Sequence, residues 1–543
     1  MNFIDVKRAP DLMIVQRGTE WNRLACREDV WRHEDVTVKL TPDGSGVAVS
    51  LSAWEKPVSR IVLRWKEKIG ESVRILGDHW ERAYGDLGWY PVVSDRTLPW
   101  YFLASDGRRT DGYGVMTTPN AMCGWQADAN CVTLILDVRC GGCGVSLGGR
   151  VLVAACIVSR RGPEGESPFE AAQRFCRMMC KSPVLPKTPV YGGNDWYYSY
   201  GRSTASSILA DSSLMSALAG GAENRPFMVI DAGWHSNTDE WCRNDDEPWA
   251  DGTHGFPDMA ALASQMKAAG VRPGLWFRPL LTSNRLPKEW LLKTGRVLHK
   301  NRDGLILDPS IPEVLNTVSG YMRRFAGWGY ELVKHDFTSY DVLGRWGLSC
   351  GAVLTESGWH FADRSKTTAE IVSGLYRAIR AGAPDATIIG CNTFSHLSAG
   401  VFEVCRVGDD TSGKQWERTR KMGVNSLAFR LPQHRAFYAV DVDCVGLTNR
   451  VSWELNRQFL DLLANSGTVL MVSADPKAMG EEQRKAVAQA FSVASRGIPA
   501  AQPLDWMDHT TPSEWLVGGE RREYDWVDYD RLQNCSAAAD DEI

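Results

Sequence analysis

The chain has 543 residues and a mass of 60.3 kDa, too long for one ordinary domain and in the range of a barrel enzyme with accessory domains. Hydrophobic residues make up 44% and charged residues 23%, a globular balance that excludes a disordered chain. With Lys+Arg 61 against Asp+Glu 66 the net charge is −5, which argues against a nucleic-acid binder, whose phosphate contacts need a basic surface.

Residues 1–10 contain no apolar signal core, and no stretch approaches the roughly 18 unbroken apolar residues of a membrane span. A cytoplasmic protein without membrane contact is therefore expected. Residues 36–40, 47–51, 61–65, 132–138 and 151–158 are short β-branched runs separated by Gly, Pro and Asp. That pattern predicts an N-terminal antiparallel β-sandwich over 1–185. A helix is predicted over 169–179, after which Pro183, Pro186 and Pro189 form a stiff linker.

From Val190 the rhythm changes to short apolar strands alternating with amphipathic helices. Strands are predicted at 190–191, 227–231, 274–277, 331–336, 387–391, 404–406, within 426–440, and at 468–472. Ser310 with Glu313, and Thr367 with Glu370, read as capping boxes that start helices. Val314, Val318, Tyr321 and Phe325 then share one helical face, as do Ile371, Leu375 and Ile379. About eight such units in roughly 290 residues fit a (β/α)8 TIM barrel over 186–497 rather than an open sheet. No Gly-x-Gly-x-x-Gly lies at a strand end, which weakens a dinucleotide-binding alternative. A helix over 481–495 precedes a short irregular C-terminal segment, 498–543, whose polar end at 537–543 reads as disordered.

Trp, normally the scarcest aromatic, occurs 22 times against 16 Phe and 15 Tyr, which suggests large flat surfaces to pack or to stack on. The 14 cysteines are scattered and form neither a disulfide framework nor paired zinc spacings, so reduced buried thiols are expected.

In a barrel, reactive groups lie at the C-terminal ends of the strands. Those positions hold Asn194, Asp195 and Trp196; Asp231 and Trp234; Trp276 and Arg278; Lys334 and Asp336; Cys391 and Asn392; Arg406, Asp409 and Asp410; Asp441 and Asp443. Carboxylates dominate, and no Ser or Cys with a paired His is evident. Two carboxylates in a Trp-lined mouth are what glycoside hydrolysis requires, one as nucleophile or base and one as acid. Asp is also a common helix cap after a strand, so any one of these taken singly is more often structural. His335 and His396 read as packing residues.

Five motifs occur in order on successive strands: Gly193-Asn194-Asp195-Trp196, residues 227–234 ending Asp231-Ala232-Gly233-Trp234, Gly274-Leu275-Trp276, Lys334-His335-Asp336, and Arg406-Val407-Gly408-Asp409-Asp410. Together they resemble the α-galactosidase clan of retaining glycosidases, glycoside hydrolase families 36 and 27. Family 36 is the nearer, because a large β domain precedes the barrel. The resemblance implies Asp336 as nucleophile and Asp410, rather than Asp409, as acid/base. It implies Trp196, Asp231, Trp234, Trp276, Arg278, Lys334, Asn392 and Arg406 as sugar-binding residues, with no metal and no cofactor. Asp336 must stay ionised, which a nearby Lys334 or Arg406 favours, whereas Asp410 must start protonated, which a drier setting would favour.

Two positions depart from the family. Ala232 replaces the second of two consecutive Asp that read the galactose 4- and 6-hydroxyls, and Cys391-Asn392-Thr393 stands near the place that meets the sugar's 2-substituent. The expected substrate is the non-reducing end of an oligosaccharide or glycoconjugate carrying an α-linked galactose or related sugar. Alternatives are a raffinose-synthase-type transglycosidase, an α-N-acetylgalactosaminidase and a non-catalytic carbohydrate-binding protein. The resemblance also implies a possible homo-oligomer and a β domain that leans on the barrel, so that some of Trp80, Trp89, Trp100 and Trp125 help bind substrate while the rest are core residues.

Overall fold

The computed structural model describes residues 3–235, 249, 252, 255–282, 286–293 and 305–529. In the strand Arg60–Lys66, Ile61, Leu63 and Trp65 are buried and alternate with Arg60, Val62 and Arg64, the period-2 pattern of a sheet with one covered face. Pairing such strands gives two antiparallel sheets, one of six strands and one of nine. They face each other across a shared core, where Phe102 of the larger sheet meets Trp125 of the smaller at a centroid distance of 5.8 Å. Polar faces are cross-linked in register, as by Arg60 to Asp137 at 3.1 Å. This is the expected N-terminal sandwich.

The helix Pro168–Met179 closes one side of the larger sheet, started by a capping box of Ser167 and Glu170. Phe175 lies on the backbone of Gly112, where a Cβ would come within 2.5 Å of its ring. Only glycine permits that close approach.

Parallel strands then follow in the order of a barrel: Tyr191–Asn194, Phe227–Ile230, Arg272–Phe277, Leu332–His335, Thr387–Gly390, Val404–Arg406, Ala439–Asp441 with Cys444–Leu447, and Leu470–Ala474. The seventh strand is broken at Val442 and Asp443. Its first half pairs with the sixth strand and its second half with the eighth. Pairing of the eighth strand with the first closes the ring. Apart from Arg272 and Thr387 at two strand starts, the barrel strands are buried, because helices such as Pro312–Trp328 and Thr368–Gly382 cover their outside.

Two local expectations are corrected and a third is located. Thr367 and Glu370 do form a capping box, but Ser310 and Glu313 do not: Pro312 opens that helix one residue later, on Ile311, and the Ser310 hydroxyl accepts instead from the Asp363 N–H at 3.0 Å. The strand expected within 426–440 is Ala439–Asp441, at the end of that range, and Ser426–Arg430 ahead of it is helical. The C-terminal segment is not irregular. It carries a three-stranded antiparallel sheet, Gln502–Pro503, Glu514–Val517 and Glu520–Glu523. Between its strands Trp506 packs on Trp89 and Phe169 of the β region and on Phe429 of the barrel. The polar end at 537–543 lies outside the described residues. No helix among the described residues is long and apolar enough to cross a membrane.

Sandwich and barrel are joined through buried groups. The Trp100 ring stacks on His396 of the barrel at 5.2 Å, and the His396 imidazole faces the Val115 carbonyl at 2.7 Å. Trp80, Trp89, Trp100 and Trp125 are thus core and interface residues, each at most 7% exposed, rather than residues leaning toward substrate. Arg430 of the barrel is fully buried and pairs with Asp78 at 2.6 Å, and Gln433 donates to the same carboxylate at 2.8 Å. Asp78→Ala should leave that guanidinium buried without its counter-charge, a loss of about 3–5 kcal/mol. A clear fall of the thermal unfolding midpoint is expected, measured against a surface control such as Glu520→Ala.

Candidate active site

Lys334 lies near the end of the fourth strand and Asp336 directly after it. Phe337 follows at φ 64, a left-handed conformation uncommon for a bulky residue, and its N–H turns back to donate to Asp336 Oδ1 at 2.7 Å. Trp276 Nε1 donates to the other oxygen at 3.2 Å. Both oxygens of Asp336 are thereby oriented by groups on rigid strand ends.

Lys334 is buried and donates to Asp231 Oδ2 at 2.7 Å. Burial disfavours its charge, but the Asp231 carboxylate outweighs that and keeps it a firm cation. Asp231 also accepts from Asn194 Nδ2 at 2.8 Å and from the Ala232 N–H at 2.9 Å. Beneath it, buried Asp195 accepts the Asp231 N–H at 2.7 Å. Burial, then the neighbouring Asp231 charge, push the Asp195 carboxyl up to about 7.

Arg406 ends the sixth strand, fully buried, and has three partners. It donates to the Gly408 carbonyl at 2.9 Å, and it pairs with Asp443 at 2.8 Å and Asp410 at 2.5 Å. Asp443, at φ 77 in the break of the seventh strand, also accepts from the Thr411 N–H at 2.8 Å and from the Tyr197 hydroxyl. Burial drives the adjacent Asp441 carboxyl up to about 6, against the pull of Arg406.

A second cation reaches Asp410 from the β-sandwich. The Ala83 N–H donates to the Val407 carbonyl at 2.7 Å, and the Asp409 N–H donates to the Ala83 carbonyl at 2.8 Å. This extension of the sixth strand carries Arg82 to within 3.0 Å of Asp409 and 3.5 Å of Asp410, with its guanidinium 5.0 Å over the Trp346 ring. Desolvation raises the Asp410 carboxyl, but Arg406, Arg82 and Lys334 outweigh it and hold it well below the usual carboxylate range. The expectation that a dry setting raises the Asp410 carboxyl is therefore corrected: the neighbouring cations lower it, and its side chain is 42% exposed.

The buried Cys391 thiol feels Asp336, Arg406, Lys334 and Arg82 together, so the fourth, fifth and sixth strand ends and the Arg82 loop converge on one place. Trp196, part-buried beside Tyr200 at 5.7 Å, follows the first strand at the same face. Three expected sugar-binding residues are occupied elsewhere. Arg278 is fully buried, bidentate to Asp341 and stacked under Phe337 at 4.4 Å. Trp234 is fully buried among Trp249, Phe325 and Trp328, its indole N–H on the Trp276 carbonyl at 2.9 Å. Asn392 is fully buried, its amide donating to Glu81 of the β region and accepting from the Tyr340 N–H at 3.2 Å.

Glu81 and Arg82 had no local signal in the sequence, since only tertiary docking brings them to the barrel. Asp443 had one, its place at a strand end beside Asp441. His335 is a packing residue against Phe402 and Tyr376, kept neutral by burial, which lowers its pKa to about 3. Among the described residues no cluster of His, Cys, Asp or Glu could hold a metal ion, and the cysteines are free.

The raised Asp195 carboxyl makes a stability prediction with a definite sign. Folding lifts its pKa from about 3.9 to the value near 7, so its favourable contribution is full below pH 4 and is lost as the pH rises through 7. Asp195→Asn, which cannot ionise, should raise the thermal midpoint relative to wild type at pH 8, with the difference shrinking toward pH 4.

No known family model and no curated protein sequence matches the chain. Solved structures do. The α-galactosidase TtGalA of Thermus thermophilus, in complex with p-nitrophenyl α-D-galactopyranoside, is 18% identical, with a TM-score of 0.61 over 95% of this chain and 99% of that one. The family 36 α-galactosidase AgaA of Geobacillus stearothermophilus, as a variant in complex with 1-deoxygalactonojirimycin, is 14% identical, with a TM-score of 0.62 over 94% of this chain and 77% of that one. The order of an N-terminal sandwich followed by a barrel agrees with these matches, and the chain has the fold of the family 36 α-galactosidases.

Proposed function

We propose that the chain is a retaining exo-α-glycosidase that removes a terminal α-linked galactose or related sugar from a small oligosaccharide or glycoconjugate. One observation carries this reading: Asp336 and Asp410 follow the fourth and sixth strands at one barrel mouth, the first with both oxygens oriented and the second part-exposed. The solved structures of the same fold that hold p-nitrophenyl α-galactopyranoside, stachyose and raffinose support the choice of substrate class.

In this mechanism a carboxylate oxygen of Asp336 attacks the anomeric carbon while Asp410 gives its proton to the departing glycosidic oxygen. The C–O bond to the aglycone breaks and a covalent glycosyl-enzyme forms. Asp410, now a base, takes a proton from water. The water oxygen displaces Asp336, and the released sugar keeps its anomeric configuration. Because Asp410 rests as an anion between Arg406 and Arg82, it must gain its proton as substrate arrives. A sugar seated over its exposed side excludes water and shifts the balance toward the neutral acid.

Galactose recognition is reduced on one side. Ala232 offers no carboxylate, and the Asp231 oxygens already serve Lys334, Asn194 and the Ala232 N–H. Lys334 and the Trp196 face are the remaining sugar contacts at this edge. The ion pairs on Asp410 favour a second reading, a sugar-binding barrel that has lost turnover.

A panel of aryl α-galactoside, α-N-acetylgalactosaminide, α-glucoside and β-L-arabinopyranoside separates the two. Turnover of at least one by wild type, with a loss of about 10³-fold or more in Asp336→Ala, supports the hydrolase. Sugar binding with no turnover supports the second reading, and turnover that survives Asp336→Ala refutes the mechanism. Arg82→Gln removes one cation from Asp410 and raises its pKa, so the alkaline limb of the pH–rate profile should move to higher pH.

A further inference from the structure

Where the β-sandwich meets the barrel, Cys140-Gly141-Gly142-Cys143 turns the chain back on itself. The Cys140 N–H donates to the Cys143 carbonyl at 2.9 Å and the Cys143 N–H to the Cys140 carbonyl at 3.3 Å, so the cysteines lie opposite each other in a closed antiparallel pair. Gly141 takes φ 62, the left-handed conformation that a two-residue hairpin turn requires. The glycines are also wedged against the barrel. A Cβ on Gly142 would come within 2.0 Å of the Glu356 carbonyl oxygen, and one on Gly141 within 2.8 Å of the Trp359 ring. The Gly142 N–H donates to the Trp359 carbonyl at 2.9 Å, and the Gly141 N–H to the Thr368 hydroxyl at 3.0 Å. Docking explains the glycines but not a thiol on each side of them.

The geometry of the pair suits a bond between the two sulfurs. Opposite residues of such a pair project to the same face with Cα atoms about 5.5 Å apart, inside the range of roughly 4.4–6.8 Å that a disulfide spans. Arg364 marks the shared side, since it is in electrostatic reach of Cys140 and stands on the same cavity wall as Cys143. The two thiols differ in access. Cys140 is fully buried, its Sγ donates to the Asp363 carbonyl at 3.5 Å, and burial pushes the thiol up to about 12. Cys143 is part-exposed, on a cavity of about 910 Å³ between the sandwich and a barrel loop. A reagent therefore enters at Cys143, and Cys140 is protected until its neighbour has reacted.

We infer that Cys140 and Cys143 form a dithiol–disulfide site, which a small organic disulfide such as glutathione disulfide oxidises. The Cys143 thiolate attacks one sulfur of the reagent, whose S–S bond breaks as one glutathione leaves as thiolate. Cys140 gives its proton to water, and its sulfur attacks Cys143 Sγ, displacing the second glutathione as thiolate. Two protein thiols lose two electrons and two protons, and one glutathione disulfide gains them as two thiols. Closing the bond draws the two Cβ atoms together by about an ångström, a shift that the open side of Cys143 permits. It also takes the thiol donor from the Asp363 carbonyl, in the loop that follows the fourth barrel strand. The site is independent of the glycosidase reading.

The test exposes the full chain to glutathione disulfide at mildly alkaline pH until the exposed Cys26 is fully modified. The chain is then quenched in acid, unfolded, alkylated with N-ethylmaleimide, digested and weighed by mass spectrometry. In wild type the peptide with both cysteines should lose two hydrogens, take no alkyl label, and regain both thiols with dithiothreitol. In Cys140→Ser, Cys143 should stop at the mixed disulfide with glutathione; in Cys143→Ser, Cys140 should remain a free thiol. The circular dichroism of the oxidised chain should match that of the reduced one. Both thiols left free in wild type, Cys143 held as the mixed disulfide beside a free Cys140, or either cysteine bonded to another part of the chain overturns the inference. A bond that forms only with loss of the fold overturns it too.

Discussion

Two main-chain hydrogen bonds at Ala83, at 2.7 and 2.8 Å, splice a loop of the β-sandwich onto the end of the sixth barrel strand. Most of what distinguishes the site depends on them. They place Glu81 against Asn392 and the Gly347 N–H, and Arg82 against Asp409 and Asp410. On the other side of the same loop, Asp78 neutralises the fully buried Arg430. Backbone pairing fixes where these side chains start, so they lie within reach of their barrel partners. The accessory domain is thus part of the wall of the mouth.

The floor of the mouth is a matched set of charges. Lys334 meets Asp231; Arg406 meets Asp410 and Asp443; Arg82 meets Asp409 and Asp410. Buried ions are tolerated only when paired in this way. Burial pushes two further carboxyls, Asp195 and Asp441, up to about 7 and about 6, the second against the pull of Arg406. The same cations that keep the floor folded also hold Asp410 ionised. Under the proposed mechanism, the acid/base role and the ion pairs make opposite demands on this one carboxyl, whose side chain is part-exposed.

Much of the architecture was legible in the chain, for physical reasons that can be named. β-Branched runs with period 2 announced the sandwich, and alternating apolar strands and capped helices announced the barrel. The Thr367 box held because its Glu370 faces back on the same turn, while Pro312 pre-empted the Ser310 box by opening the helix later. The strand within 426–440 was not bounded more closely in the sequence because a short buried run has no face to reveal its period; it is Ala439–Asp441, preceded by helix. Trp234 and Arg278 stand at strand ends in the sequence, yet burial among Trp249, Phe325 and Asp341 assigns them to packing.

The 22 tryptophans divide the same way. Composition identified a protein rich in flat apolar surface, and motif spacing gave Trp196 and Trp276 their strand-end positions. Only the folded chain shows that Trp276 spends its N–H on Asp336, and that Trp100 serves the joint between sandwich and barrel. Local pattern by itself determined the order of strands and helices and the carboxylates at their ends, because those follow from periodicity and from neighbours in sequence. Tertiary structure alone decided which charges meet, since Arg82 and Asp410 lie more than three hundred residues apart in the chain. Burial and electrostatic pairing depend on distance in space, so the protonation of Asp410 and the reach of the sandwich into the mouth could be read only there.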